Sequence, residues 1–366
     1  MYLFKYYFFL LTLLLFVSCS TNYNLSNRTF EKTDYFEITS ITLRGAFYSS
    51  PIMTQNDKVI IGCHKRIIYF FDGVGDKIEE FHTKGWVHAS PEIISDTLIS
   101  IGSYDGNIYF FNELGKLKNS ILPGGSIFTN TLQIDSSRLM FGTNKHQIVF
   151  YNLKNNTFSR FETKKMVHGS PTLLSNNNMC IGANDNEMYI FNDSCKLISK
   201  YAANGWIMHS KALELEDSTI VFGSYDKNIH AINIKGNLLW KFATNGKIHS
   251  SPKEIGDKIV FGSFDKNIYL LNHDGSLAKR IQTKKKVVAS AAITKDKFIV
   301  IGSYDKNLYI LNSDGEIVSK IFVNGKIFST PIILHNGNIV CATTNGKLIY
   351  IKPLIPYSEM KFASVK

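Results

Sequence analysis

An eight-bladed, all-β propeller is the fold class this sequence predicts, on three observations. A glycine recurs at a fixed step, each step holds four short apolar runs, and the run missing from the last copy stands ahead of the first. The glycine falls at Gly62, Gly102, Gly142, Gly182, Gly223, Gly262 and Gly302, with Ala342 in the eighth place. The steps are 40, 40, 40, 41, 39, 40 and 40 residues, and a period of that size marks a solenoid or a propeller.

Within one copy, such as residues 246–283, the runs "IHSSPKEI", "KIVFGS", "NIYLLN" and "LAKRIQT" are too short for helices. They are rich in Ile, Val, Tyr and Phe and so read as strands. The second and third are joined by "YDKN", "YDGN" or "TTNG", and the third and fourth by "NSDG", "NHDG" or "NELG". Asp, Asn and Gly accept the tight backbone of such turns. Four antiparallel strands per forty residues make one propeller blade.

The set of first to third strands occurs eight times, ending at 325–352, but the eighth copy lacks a fourth strand. The segment "DYFEITSITLRG" at 34–45 supplies it, closing the ring and removing the free sheet edges of an open array. The outer-strand position then reads Ile41, Phe81, Ile121, Phe161, Tyr201, Phe242, Ile281 and Ile321, apolar in every blade. The position after each incoming loop reads Phe47, Val87, Ile127, Val167, Ile207, Ile248, Val287 and Ile327 and belongs to the core. Burying each such side chain is worth about 1.5–3 kcal/mol.

The segments outside the repeat divide at 1–18, 19–33 and 353–366. Residues 1–18 carry one Lys, no acid and an apolar run from Tyr6 to Val17, which reads as a secretory signal. The run is short for a spanning helix. "LFVSC" resembles a bacterial lipobox, with Phe16 where leucine is usual, and marks Cys19 for lipidation. Residues 19–33 read as a polar tether, 34–352 as the propeller and 353–366 as a C-terminal tail. The expected location is the bacterial cell envelope, on the outer membrane.

With 44% apolar and 13% aromatic residues, the chain can bury a large core and does not resemble a disordered protein. The other cysteines, Cys63, Cys180, Cys195 and Cys341, match no zinc spacing. Cys63, Cys180 and Cys341 fall in or beside equivalent strands and are expected as free, buried thiols. Cys195 is expected exposed on a turn.

Ser-Pro on the inner strand, "GSYDKNLYILN" and "GNLLWKF" together resemble the pyrroloquinoline-quinone-like (PQQ-like) propeller repeat over residues 34–352. Members of that class include quinoprotein dehydrogenases and the lipoprotein subunit of the outer-membrane β-barrel assembly machinery. The dehydrogenases hold their cofactor with adjacent cysteines, a stacking tryptophan and ligands to calcium. No two cysteines are neighbours here, so the resemblance implies the propeller and neither PQQ nor another cofactor. The outer tryptophan of the repeat is kept only as Trp240.

Charge is one-sided. In a propeller the incoming loops and the hairpins between second and third strands share a face. The incoming loops carry Arg44, Lys84, Lys164, Lys165, Lys247, Lys284, Lys285, Lys286 and Lys326. The hairpins add seven bases against Asp105, Asp185, Glu187, Asp226, Asp265 and Asp305, giving sixteen bases to six acids. Such a field concentrates anionic partners. An envelope protein, an anionic glycan or a lipid headgroup is the expected partner, with nucleic acid disfavoured outside the cell.

At the channel mouth of that face the aligned residues are Tyr48, His88, Phe128, His168, Met208, His249, Val288 and Phe328. Two places toward the loop stand Trp86 and Trp206. Trp86, His88, Trp206, Lys164, Lys165, Lys247, Lys284, Lys285, Lys286 and Lys326 are therefore the candidate contact residues. No metal site is assigned, since sequence spacing cannot show that the ring nitrogens of His88, His168 and His249 converge. The favoured function is a membrane-tethered, non-catalytic scaffold, a monomeric propeller within a larger complex. The alternatives are an exported lyase or hydrolase using Tyr48, His88, His168 or His249, and a small-ligand sensor. GxSxG, HExxH and a phosphate loop are absent from the sequence.

Overall fold

The computed structural model describes residues 27–95, 98–360 and 363–364. Among these the chain forms eight sheets, six of four strands and two of five, and in the first seven blades four antiparallel strands run in sequence order from the channel outward. Blade 1, for example, runs Ile52–Met53, Val59–Cys63, Ile67–Phe71 and Lys77–His82. Blade 8 combines Ile332–Ile333, Ile339–Ala342 and Lys347–Pro353 with the N-terminal strand Phe36–Thr42. Phe36 pairs with Pro353 and Thr42 with Lys347, so the ring closes as the strand count requires. Among the described residues no helix is long and apolar enough to cross a membrane.

The repeated glycine marks a close approach between blades. A Cβ on Gly62 would lie 2.1 Å from Val87 Cγ1, and one on Gly302 would lie 2.2 Å from Ile327 Cγ2. The same contact joins Gly102 to Ile127, Gly142 to Val167, Gly182 to Ile207, Gly223 to Ile248 and Gly262 to Val287. Each of the seven glycines thus admits the first core residue of the next blade, and these seven, together with Phe47 of blade 1, are fully buried.

Eight buried clusters follow, one at each interface between neighbouring blades. The interface of blades 1 and 2 is typical, joining Ile60, Ile68 and Phe70 to Val87, Ile99, Ile101 and Phe111. Outer-strand residues Ile41, Ile121, Ile281 and Ile321 are buried, and Phe81, Phe161, Tyr201 and Phe242 pack half-buried against the same clusters. Cys63, Cys180 and Cys341 are free and buried. Cys195 differs from the expectation: it is half-buried, with φ 61°, its sulfur 3.5 Å from Arg138 Nη1. Arg138 reaches the turn from the neighbouring blade and covers it.

The chain ends also depart from the sequence boundaries. Arg28–Lys32 lies in the segment read as tether, yet it forms a fifth strand on blade 8. Arg28 fastens it by donating to Gly75 O and Asp76 Oδ1 of blade 1, at 2.5 and 2.6 Å. "RTFEK" has no buried face, and Phe30 is exposed, so apolar patterning could not reveal it. In the tail, Tyr357 and Met360 are buried in the cluster between blades 7 and 8. Ala363–Ser364 then pairs in parallel with the outer strand of blade 7. Residues 1–26, including the signal segment and Cys19, lie outside the described residues.

Candidate functional site

The basic face is built from two sets of eight residues joined by backbone hydrogen bonds. The residue two places after each repeated glycine, or after Ala342, donates its N–H to a carbonyl of the incoming loop. Thus Tyr104 N reaches Trp86 O at 2.8 Å, Tyr225 N reaches Trp206 O at 2.8 Å, and Tyr304 N reaches Lys286 O at 3.0 Å. The bond recurs from His64 to Ala46, Asn144 to Ser126, Asn184 to Met166, Phe264 to Lys247 and Thr344 to Lys326. One set carries Trp or Lys at five of its eight positions; the other supplies aromatic rings at five.

Next to this ring, a carboxylate latch holds five of the incoming loops. Asp305 Oδ2 accepts from Lys284 N at 3.0 Å and from Tyr309 Oη at 2.6 Å, while Oδ1 accepts from Asn307 N at 3.1 Å. Asp105, Asp185 and Asp265 repeat it with Tyr109, Tyr189 and Tyr269. Asp226 uses His230 Nε2, at 2.9 Å, in place of a tyrosine. These bonds hold Asp105, Asp226 and Asp305 below the usual carboxylate range although burial opposes it. Blades 1 and 3 carry Lys65 and Lys145 in place of this aspartate, and blade 8 carries Asn345. Five of the six acids counted on this face are therefore committed to its own backbone, while Lys84, Lys164, Lys165, Lys284 and Lys285 remain exposed.

At the mouth the side chains meet in two groups. Trp86, 48% exposed, stacks on His64 at 4.9 Å, and His64 stacks on Tyr48 at 4.3 Å. Opposite, Trp206, 44% exposed, lies 6.2 Å from Tyr225. Lys247 Nζ sits over the Tyr225 ring at 5.0 Å; Lys286 Nζ lies 4.4 Å from Phe264 and 4.6 Å from Tyr304; Lys326 Nζ lies 5.8 Å from Tyr304. Cation–π contacts of this kind fix a lysine and keep its charge outward. Burial, and then the neighbouring Lys326 charge, lower the Lys286 pKa.

Below the mouth a plug of imidazoles crosses the channel. His209 lies 4.4 Å from His249, 5.0 Å from His88 and 6.0 Å from His168, measured between ring centres. Phe128 and Phe328 pack against the same rings. His88 Nδ1 shares a hydrogen bond of 3.0 Å with His64 Nε2, and His168 Nδ1 accepts from Asn184 Nδ2 at 3.0 Å. Burial lowers His64 and His168 to about 4 and His249 to about 3, and drives His88 and His209 well below their ordinary value. These rings are neutral at pH 7. Among the described residues, no three His, Cys, Asp or Glu side chains are placed to hold a metal ion.

The structure therefore gathers Trp86, Trp206, Lys247, Lys286 and Lys326 at the mouth and sets Lys164, Lys165, Lys284 and Lys285 further out. Tyr48, His88, His168 and His249 belong to the plug and the layer above it. Two participants escaped the sequence reading. His64 occupies the Tyr104 position, and its partnership with Trp86 is invisible until hairpin and incoming loop are paired. His209 is an inserted residue with φ 63°. Ser210 Oγ accepts from Gly223 N as Thr129 Oγ1 accepts from Gly142 N, each 13 residues before its glycine. Met208 and His209 thus share one pore position, and Lys211, aligned by sequence with proline, replaces a serine. The 41-residue step was the signal.

These features define a closed propeller with a cationic, aromatic mouth, and comparison with known proteins gives the same fold. The family of the lambda-carrageenase β-propeller domain matches residues 213–293. The crystal structure of BamB from Moraxella catarrhalis superposes with a TM-score of 0.71 at 14% identity, covering 88% of this chain and 100% of that one. The computationally designed Ika8 protein gives 0.72 at 15% identity, covering 84% and 98%. No curated protein sequence matches the chain.

Proposed function

We propose that the chain is a membrane-tethered, non-catalytic propeller of the PQQ-like repeat class that docks an envelope protein or anionic polymer on its basic face. Its anchor is a lipid on Cys19 after removal of residues 1–18, and its location is the bacterial outer membrane. The observation that carries this reading is the mouth itself. Five aspartates are turned into backbone latches, three lysines are held over aromatic rings, and Trp86 and Trp206 stay uncovered beside them. Exposed tryptophans flanked by positive charge give contact area and orientation together. The BamB likeness supports a scaffold of this shape. The imidazoles an enzyme would draw on are stacked on one another and on Phe328, where burial keeps them neutral.

Photo-crosslinking in the native membrane tests the proposal. A crosslinker replacing Trp206 captures an envelope component, and joint reversal of Lys284, Lys285 and Lys286 to Glu abolishes capture. Unchanged capture in the reversed protein overturns it.

A further inference from the structure

The opposite end of the channel carries a second arrangement that the basic face does not use. Below the plug, one residue per blade forms a belt in which backbone N–H groups donate to the next blade. Thr330 N reaches Ser50 Oγ at 2.9 Å, Ser50 N reaches Ser90 Oγ at 2.9 Å, and Ser90 N reaches Asn130 Oδ1 at 3.0 Å. Lys211 N continues it to Ser251 Oγ at 2.9 Å, and Ser251 N to Ser290 Oγ at 2.8 Å. Ser170 meets Lys211 in a parallel bridge. Seven belt positions carry Ser, Thr or Asn; the insertion of His209 places Lys211 in the eighth.

Lys211 borders a cavity of about 250 Å3 whose wall also includes Glu92 and Lys253. It shares Ile52, Ile332, Glu92 and Lys253 with an outer vestibule of about 560 Å3 that is otherwise mostly isoleucine, alanine and proline. Asn130 Nδ2 donates to Glu92 Oε1 at 2.9 Å, which fixes that carboxylate to the wall. Neither lysine has an ion pair within 4.0 Å among the described residues. Lys253 is exposed as a whole residue, yet crowding around its ammonium and then the Lys211 charge lower its pKa. Burial raises Glu92 although both lysines oppose it. The site holds two cations, one tethered anion and an apolar rim, and so lacks one negative charge.

We propose that this end of the channel binds a carboxylate carried on a short apolar group, its oxygens between Lys211 and Lys253 and its apolar part against Ile52 and Ile332. The carboxylate is that of a free short-chain acid or of a polypeptide C-terminus. Neither source depends on the opposite face.

The test is calorimetric titration of the purified full chain with N-acetyl-L-leucine, N-acetyl-L-leucinamide and hexanoate. Saturable binding of the acetylated acid, at least tenfold tighter than its amide, is expected. Hexanoate binding as tightly as the acetylated acid identifies a free acid as the source, and weaker hexanoate binding identifies a chain terminus. Lys211→Ser, which installs the residue of the neighbouring blades, weakens carboxylate binding at least tenfold with an unchanged thermal midpoint. Glu92→Gln tightens it by removing the like charge. Equal binding of acid and amide, unaltered binding by Lys211→Ser, weakened binding by Glu92→Gln, or no saturation at 10 mM overturns the proposal.

Discussion

The two ends of the channel are built from the same eight repeats and have opposite characters. At one end, every incoming loop is tied to a hairpin, and variable side chains put tryptophan, tyrosine and lysine into the mouth. At the other, hydroxyl and amide side chains line a belt that one inserted residue converts into a charged pocket. The repeat fixes where a side chain stands; its exceptions decide what the site can bind. Chemistry in this molecule therefore has to be sought at departures from the repeat.

The largest effect is expected where both ends share one wall. Gly62→Val drives side-chain atoms into Val87, already 2.1 Å from a bare Cβ, and leaves no relaxed packing between blades 1 and 2. It should cost more than about 4 kcal/mol and yield no folded monomer by circular dichroism. Gly337→Ala, with nothing near its Cβ but φ 85°, should cost only about 1 kcal/mol.

A smaller effect separates the ends by pH. The plug histidines have folded pKa values below their unfolded value of about 6.5, so the unfolded chain takes up protons first as pH falls. Stability is intact above pH 6.5 and declines as pH drops toward 4, by up to about 3 kcal/mol for His168 alone. Thermal midpoints measured from pH 7.5 to 4 should trace this slope, and His168→Gln should flatten it. An unchanged slope in that variant would show that the plug does not titrate.

Next comes the latch, which exists at one end only. Asp305→Ala strips partners from Tyr309 Oη and Lys284 N and should cost about 2–3 kcal/mol in urea unfolding. Asn345→Ala in blade 8, where an amide reaches only Asn324 O and Thr343 Oγ1, should cost about 1 kcal/mol. Equal costs would remove the distinction between latched and unlatched blades.

The blade count, the closing strand and the core series were legible in the sequence because each is repeated, and a pattern seen eight times averages out its exceptions. The basic face was legible for the same reason. The added strand Arg28–Lys32 was not, because a single edge strand with no buried face lacks apolar alternation. The latch was hidden as well: "YDKN" predicts a turn, but not that Asp305 turns its carboxylate toward Lys284 N. The pocket at Lys211 was hidden most deeply, since aligning "GWIMHSK" with "GWVHASP" puts the lysine on a proline. The hydrogen bond from Gly223 N to Ser210 Oγ shows the register.

The smallest effects on stability fall on the mouth, and they carry the central claim. Photo-capture from the Trp206 position in the native membrane should be compared in three proteins: the parent, the joint Lys284→Glu, Lys285→Glu, Lys286→Glu variant, and Lys211→Ser. Capture lost in the first variant and kept in the second is the result predicted for docking on the basic aromatic face. Capture kept in the first variant, with its fold intact, would contradict that docking.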